Sequence, residues 1–173
     1  MSTMTELNTE TEPTAVADAP VVDTPQASIE GQAPLDTDWQ NLWFSLQRTP
    51  WAALAVVPAD SGLDVREVAE AIVELGHMSG AASLRYLNAT GAGFAESQDM
   101  VEGITASTRR GYPVVVACDA IEDNPATLAL AKAAKHVVMV VRLGQSRIAA
   151  ARKTIDAVGR EHVLAAVTLR PRR

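Results

Sequence analysis

The chain has 173 residues, a net charge of −6 and one cysteine, which is enough for a single folded domain. Cys118 has no partner for an internal disulfide, the acidic N-terminal stretch lacks the apolar core of a secretory signal, and no apolar run approaches the ~20 residues that span a bilayer. A cytoplasmic protein without direct membrane insertion is expected, reaching a membrane only through a partner.

The charge is unevenly spread. Residues 1–38 hold eight acids and no Lys or Arg, while the remaining 135 residues hold thirteen acids and fifteen bases. The stretch 1–37 is rich in Thr, Ala and Pro and has no sustained period, so it cannot bury enough apolar surface to offset the entropy of ordering and is predicted to be disordered. A domain is predicted over 38–170, followed by a basic end at 171–173. Residues 132–173 carry ten Lys/Arg against Asp156 and Glu161. That excess lacks interleaved aromatics, and the acidic tail opposes phosphate, so nucleic-acid binding through Arg147, Arg152, Lys153 and the RPRR end is the least supported reading.

In chain order, DWQNLWFSLQ at 38–47 places Trp39, Leu42, Trp43 and Leu46 on one helical stripe. This helix packs on the domain or presents Trp39 and Trp43 to a partner, and the nearby Trp51 favours packing. Residues 52–57 form a continuous apolar run, as a strand buried on both faces requires. A turn from Pro58 to Gly62 follows, then an amphipathic helix in which Asp64 and Glu67 have capping-box spacing and Gly76 suits the C′ position. Further strands are predicted at 83–88, 112–118, 137–141 and 163–169. Helices are predicted from Ser97 to Arg110, from Asn124–Pro125 to Ala134, and over about 145–158. The alternation predicts an α/β fold: a three-layer, doubly wound, mostly parallel sheet of about five strands with helices on both faces. Ligands in such sheets bind beyond the carboxyl ends of the strands.

Strand, turn and helix over 51–76 have the layout of a phosphate-binding loop. The motif needs G-x-x-x-x-G-K-[ST], with Lys on the β/γ-phosphates and the hydroxyl on Mg²⁺. With Gly62 as the last loop glycine, Leu63 stands at the Lys position and Asp64 at the Ser/Thr position, and no lysine precedes Lys132. The loop Ala59, Asp60, Ser61, Gly62, Leu63, Asp64 is therefore vestigial. Asp64 can cap the helix N-terminus, doing internally what a phosphate does elsewhere; a one- or two-residue slip of the alignment brings Arg66 closer to the phosphate position.

YPVVVACDAIEDNP, with Asp119 at the end of its strand, is similar to a Walker B segment, and it is followed by ATLALAKAAK and HVVMVVRLGQSR. On these segments the chain from 38 to 169 resembles the SIMIBI-type (ParA/MinD-like) P-loop ATPases, closest to the cytoplasmic domains of bacterial tyrosine kinases of capsule and exopolysaccharide systems (CpsD/CapB-like). The resemblance implies a P-loop NTPase fold, Asp119 as the Walker B acid, and dimerisation or docking on a membrane protein's cytoplasmic segment. The chain departs from that family in its missing Walker A lysine and in the Ala120–Ile121–Glu122 turn. Its two tyrosines, Tyr86 and Tyr112, sit in or beside predicted strands rather than in a tail cluster.

Other chemistry is weakly signalled. The Gly91–Ala92–Gly93 loop reads as a turn or an anion nest. Asp119, Glu122 and Asp123 read as a polar turn before a divalent-cation site. Cys118 reads as buried and inert. His77, His136 and His162 lack ligand spacing, and Ser61 has no nucleophile-elbow context. No catalytic residue, cofactor or metal is expected. The predicted function is a non-catalytic, pseudo-ATPase-like interaction module acting through a protein partner, with Trp39, Trp43, Arg66, Glu122 and Asp123 as contact candidates. The alternative is a divergent enzyme binding Mg-ATP.

Overall fold

The computed structural model describes residues 26–29 and 37–170; the rest of the acidic stretch and the basic end lie outside them. The element order is β1 (Gln26–Ile29), α1 (Thr37–Gln47), β2 (Ala53–Pro58), α2 (Arg66–Met78), β3 (Arg85–Asn88), α3 (Phe94–Arg109), β4 (Val114–Ala117), α4 (Ala126–Ala134), β5 (Val137–Arg142), α5 (Ile148–Val158) and β6 (Val163–Leu169). One sheet runs in the order β1-β6-β5-β2-β4-β3, and every pairing is parallel.

The five expected strands are all present and a sixth joins them. β1 comes from the acidic stretch and pairs with the outer side of β6, Gln26 opposite Ala166 and Ile29 opposite Leu169. Its sequence, QASI, is an uncharged interval between Asp23 and Glu30, so it can add backbone hydrogen bonds to an edge without burying charge. β2 lies in the middle, flanked by β4 and β5, as its uninterrupted apolar run requires.

Alternation along each strand feeds two cores. Leu54, Val56, Val115, Val138 and Val140 face α1 and α2, meeting Leu42, Trp43, Leu46, Val68 and Ile72. Ala53, Ala55, Val57, Val114 and Val116 face the other way, meeting Ile104 of α3, Leu130, Ala131 and Ala134 of α4, and Val158 of α5. Trp39 and Trp43 are each 5 % exposed, so α1 packs on the sheet and its tryptophans are core residues rather than contact residues. Trp43 stands edge-on to Trp51 with centroids 6.4 Å apart, and the Trp51 indole donates to the Leu46 carbonyl at 3.1 Å.

Gly76 corrects the C′ expectation: it lies inside α2, which runs on to Met78. A Cβ there would collide with the Leu84 side chain and come within 3.0 Å of Trp43, so the glycine serves close packing. Gly80, with φ +92, takes the left-handed turn beyond the helix. The start of α3 also differs. Its N-cap is Gly93 rather than Ser97, with Glu96 Oε2 accepting the Gly93 N–H at 3.0 Å.

Candidate functional site

The carboxyl ends of the parallel strands bring three turns together: 59–65 after β2, 89–93 after β3 and 118–125 after β4. A cavity of about 440 Å³ opens between them, lined by Gly62, Leu63, Asp64, Arg66, Thr90, Gly91, Cys118, Asp119, Ala120 and Asp123. This is where the sheet topology places a ligand.

Asp64 is turned inward on its own chain. Its Oδ1 accepts the Arg66 backbone N–H at 2.9 Å from one residue ahead of the N-cap, which is Val65 with no side-chain cap, so the Asp64–Glu67 capping box expected from the sequence does not form. The Arg66 guanidinium forks onto the same carboxylate, Nε at 3.0 Å from both oxygens and Nη2 at 2.6 Å from Oδ2. The Arg66 fork holds the Asp64 carboxyl below its ordinary value, and Asp64 raises Arg66 in return. Ser61 N–H donates to Asp60 Oδ1 at 2.9 Å. One loop N–H and the first N–H of α2, of the kind that cradle a phosphate, are therefore satisfied by aspartates of the loop.

Asp119, Asp123 and Glu122 each face different partners. Asp119 Oδ2 accepts Gly91 N–H at 2.7 Å and Asn124 Nδ2 at 3.1 Å, and Nδ2 also donates to the Ala92 carbonyl at 3.0 Å. Asn124 Oδ1 in turn accepts the Ala126 N–H at 3.1 Å, but the N-cap of α4 is Pro125 and the helix begins at Ala126, one residue later than the Asn124–Pro125 pair predicts. Asp119 and Asn124 thus clasp the β3–α3 turn to the start of α4. Asp123 Oδ1 accepts Ser61 Oγ–H at 2.7 Å. Glu122 meets Lys153 at 3.4 Å and Arg147 at 3.6 Å. Among the described residues no three His, Cys, Asp or Glu side chains converge as metal ligands.

Arg147, at the start of α5, reaches the β2 turn and pairs with Asp60 at 3.0 Å. With Asp60 held at about 2 by that guanidinium, the turns after β2, β4 and β5 are joined by charge-assisted hydrogen bonds. Sequence reasoning placed Arg147 and Lys153 in a basic patch; both are committed to carboxylates. It also missed Asn124 as a clasp, although an Asn before Pro at a strand end signals a side chain available to cap and bridge. Cys118 is buried beneath the cavity, and desolvation pushes its thiol up to about 12.

The lining is ill-matched to nucleotide phosphates. Three carboxylates, Asp64, Asp119 and Asp123, stand against one guanidinium that Asp64 already holds. Each phosphate charge ~4 Å from an unscreened carboxylate costs roughly 4 kcal/mol at an effective dielectric of 20. Among the described residues no helix is long and apolar enough to cross a membrane.

No family model matches the sequence, and no curated protein does. Among solved structures, the chain is similar to the crystal structure of the chimerical protein CapA2B2, with a TM-score of 0.66 over 87 % of this chain and 96 % of that one. The two are 9 % identical; what they share is a three-layer, P-loop NTPase-like α/β fold.

Proposed function

We propose that the chain is a P-loop-like module that acts through protein contacts and does not turn over nucleotide. The observation that carries this reading is the Asp64–Arg66 fork at the mouth of α2. It consumes the nearest cation, and Asp64 accepts the first backbone N–H of α2, at the helix end that a phosphate would otherwise occupy. The contact surface is 58–64 together with 119–124, two turns held as one by the Ser61–Asp123 bond. The partner is a second copy or the cytoplasmic segment of a membrane protein, and the module works in the cytoplasm without a cofactor. The resemblance to the cytoplasmic domains of exopolysaccharide-system tyrosine kinases supports a setting in cell-surface polysaccharide or other membrane-associated assembly.

Phosphate release from Mg-ATP by the full chain tests this reading. The expected rate equals that of Asp119→Ala and of buffer; a magnesium-dependent rate lost in Asp119→Ala would sink it. A second reading, a divergent ATP-binding enzyme, draws on Arg66, whose side chain lines the cavity. It requires the Asp64–Arg66 fork to open when nucleotide arrives.

A further inference from the structure

The two ends of the sheet differ in charge. The turns at the carboxyl ends hold Asp60, Asp64, Asp119, Glu122 and Asp123 against Arg66, Arg142, Arg147 and Arg170 in or beside them, with the acids partnered as described. The opposite end is formed by the segments 48–52, 79–84, 110–113, 135–136 and 159–162, which lead into β2 to β6 and contain one acid, Glu161. Arg48, Arg110, Lys135 and Arg160 lie in these segments, and Arg109 and Arg85 border them at the end of α3 and the start of β3. All six are exposed. None forms an ion pair with a described residue; Arg85 lies over the Tyr112 ring, 4.2 Å from its centroid. These cations stand at one end of the sheet, exposed and without an acidic partner among the described residues.

The chain also supplies a matching anion. Residues 1–25 contain Glu6, Glu10, Glu12, Asp18 and Asp23 and no Lys or Arg. They join the fold at Gln26, and because β1 is parallel to β6, the chain preceding Gln26 leaves toward the basic end. From β1 across to β3 is five strand spacings, roughly 24 Å. Twenty-five residues span at most about 85 Å when fully extended, so the length of chain before Gln26 is sufficient for this distance.

We propose that residues 1–25 dock, in the same chain, on the basic face formed by Arg48, Arg85, Arg109, Arg110, Lys135 and Arg160. The face is then an interaction surface covered by the chain's own acidic arm. It lies at the end of the sheet opposite the site of the proposed function and does not depend on that reading.

The chain has three lysines, Lys132, Lys135 and Lys153, which makes a direct test simple. A carbodiimide joins carboxylates to lysine amines only where the two touch. In the full chain, the acids of 1–25 should join to Lys135, and the pre-existing Glu122–Lys153 pair reports that the fold is intact. A mixture of ¹⁴N- and ¹⁵N-labelled protein should show the Lys135 links within single chains. Their yield should fall about fivefold at 1 M salt, where the screening length is about 3 Å. It should fall comparably in Arg109→Glu/Arg110→Glu, with the Glu122–Lys153 link of that variant unchanged at low salt. Links to Lys153 as frequent as those to Lys135, links between chains only, or a yield unmoved by the double reversal would each overturn the proposal.

Discussion

Arg147 grips Asp60 through a two-pronged guanidinium contact, Nε to Oδ2 at 3.2 Å and Nη2 to Oδ1 at 3.0 Å, and adds its backbone N–H to Oδ2 at 3.1 Å. The residues are 87 apart in sequence, on the turns after β5 and β2. Three hydrogen bonds to one carboxylate, two of them from a cation, fix these turns relative to each other across β2 and β5, which are neighbours in the sheet.

That contact has a pH signature. Asp60 is lowered from 3.8 to about 2, and Asp64 is lowered by Arg66. A carboxyl with a depressed folded-state value binds fewer protons in the folded chain than in the unfolded one. It contributes stability above about pH 4 that is lost as pH falls toward 2. Thermal unfolding followed from pH 5 to pH 2 should show a steeper decline for the natural chain than for Asp60→Asn. Parallel curves would mean that the grip contributes nothing to the fold.

Gly76 is where α2 approaches Leu84 and Trp43 most closely. Gly76→Val adds bulk between well-packed side chains and gains nothing in helix propensity worth the strain. The expected loss is about 3 kcal/mol, read as a lowered midpoint in urea with an unchanged slope. A midpoint equal to that of the natural chain would show that the packing there is loose.

Trp43 is the large residue joining α1 to α2 and to Trp51. Trp43→Ala should cost about 3–5 kcal/mol by denaturant unfolding. A cost below about 1 kcal/mol would be that of a surface residue, returning α1 to the role of a partner-binding helix.

Cys118 is buried beneath the cavity floor and its thiol is pushed up to about 12. At pH 8 a thiol reagent should leave the folded chain unmodified and label it at once in denaturant, since the thiolate is the reacting species. Rapid labelling of the folded chain would place the sulfur in an open site.

Much of the fold was legible because it rests on periodicity. The apolar runs at 52–57 and 137–141 mark strands buried on both faces, and the 163–169 strand has the bounds expected of it. Gly76 was misread because a glycine near a helix end suits both a C′ position and a close contact, and only the position of Leu84 decides between them. β1 was missed because a four-residue edge strand draws on backbone hydrogen bonds with β6, which leave no pattern in its own side chains. At the site, the missing lysine and a carboxylate at the mouth of α2 were readable from local order, whereas the N-cap fell on Val65 rather than Asp64. The Asp60–Arg147, Ser61–Asp123 and Asp119–Asn124 bonds were not. The first two join turns brought together by strand order, which local sequence does not encode. The third depends on how the turn before α4 folds back on the end of β4.

The central claim is that the loop after β2 satisfies itself through Asp64 and Arg66 and leaves no place for nucleotide phosphates. The most direct measurement is the unfolding temperature of the full chain titrated with Mg-ATP into the millimolar range. Ligand at one hundred times its Kd adds about 2.7 kcal/mol of stability. The expected result is a midpoint that does not move with Mg-ATP and behaves identically in Asp119→Ala. A magnesium-dependent rise that saturates, and that is lost in Asp119→Ala, would contradict the claim.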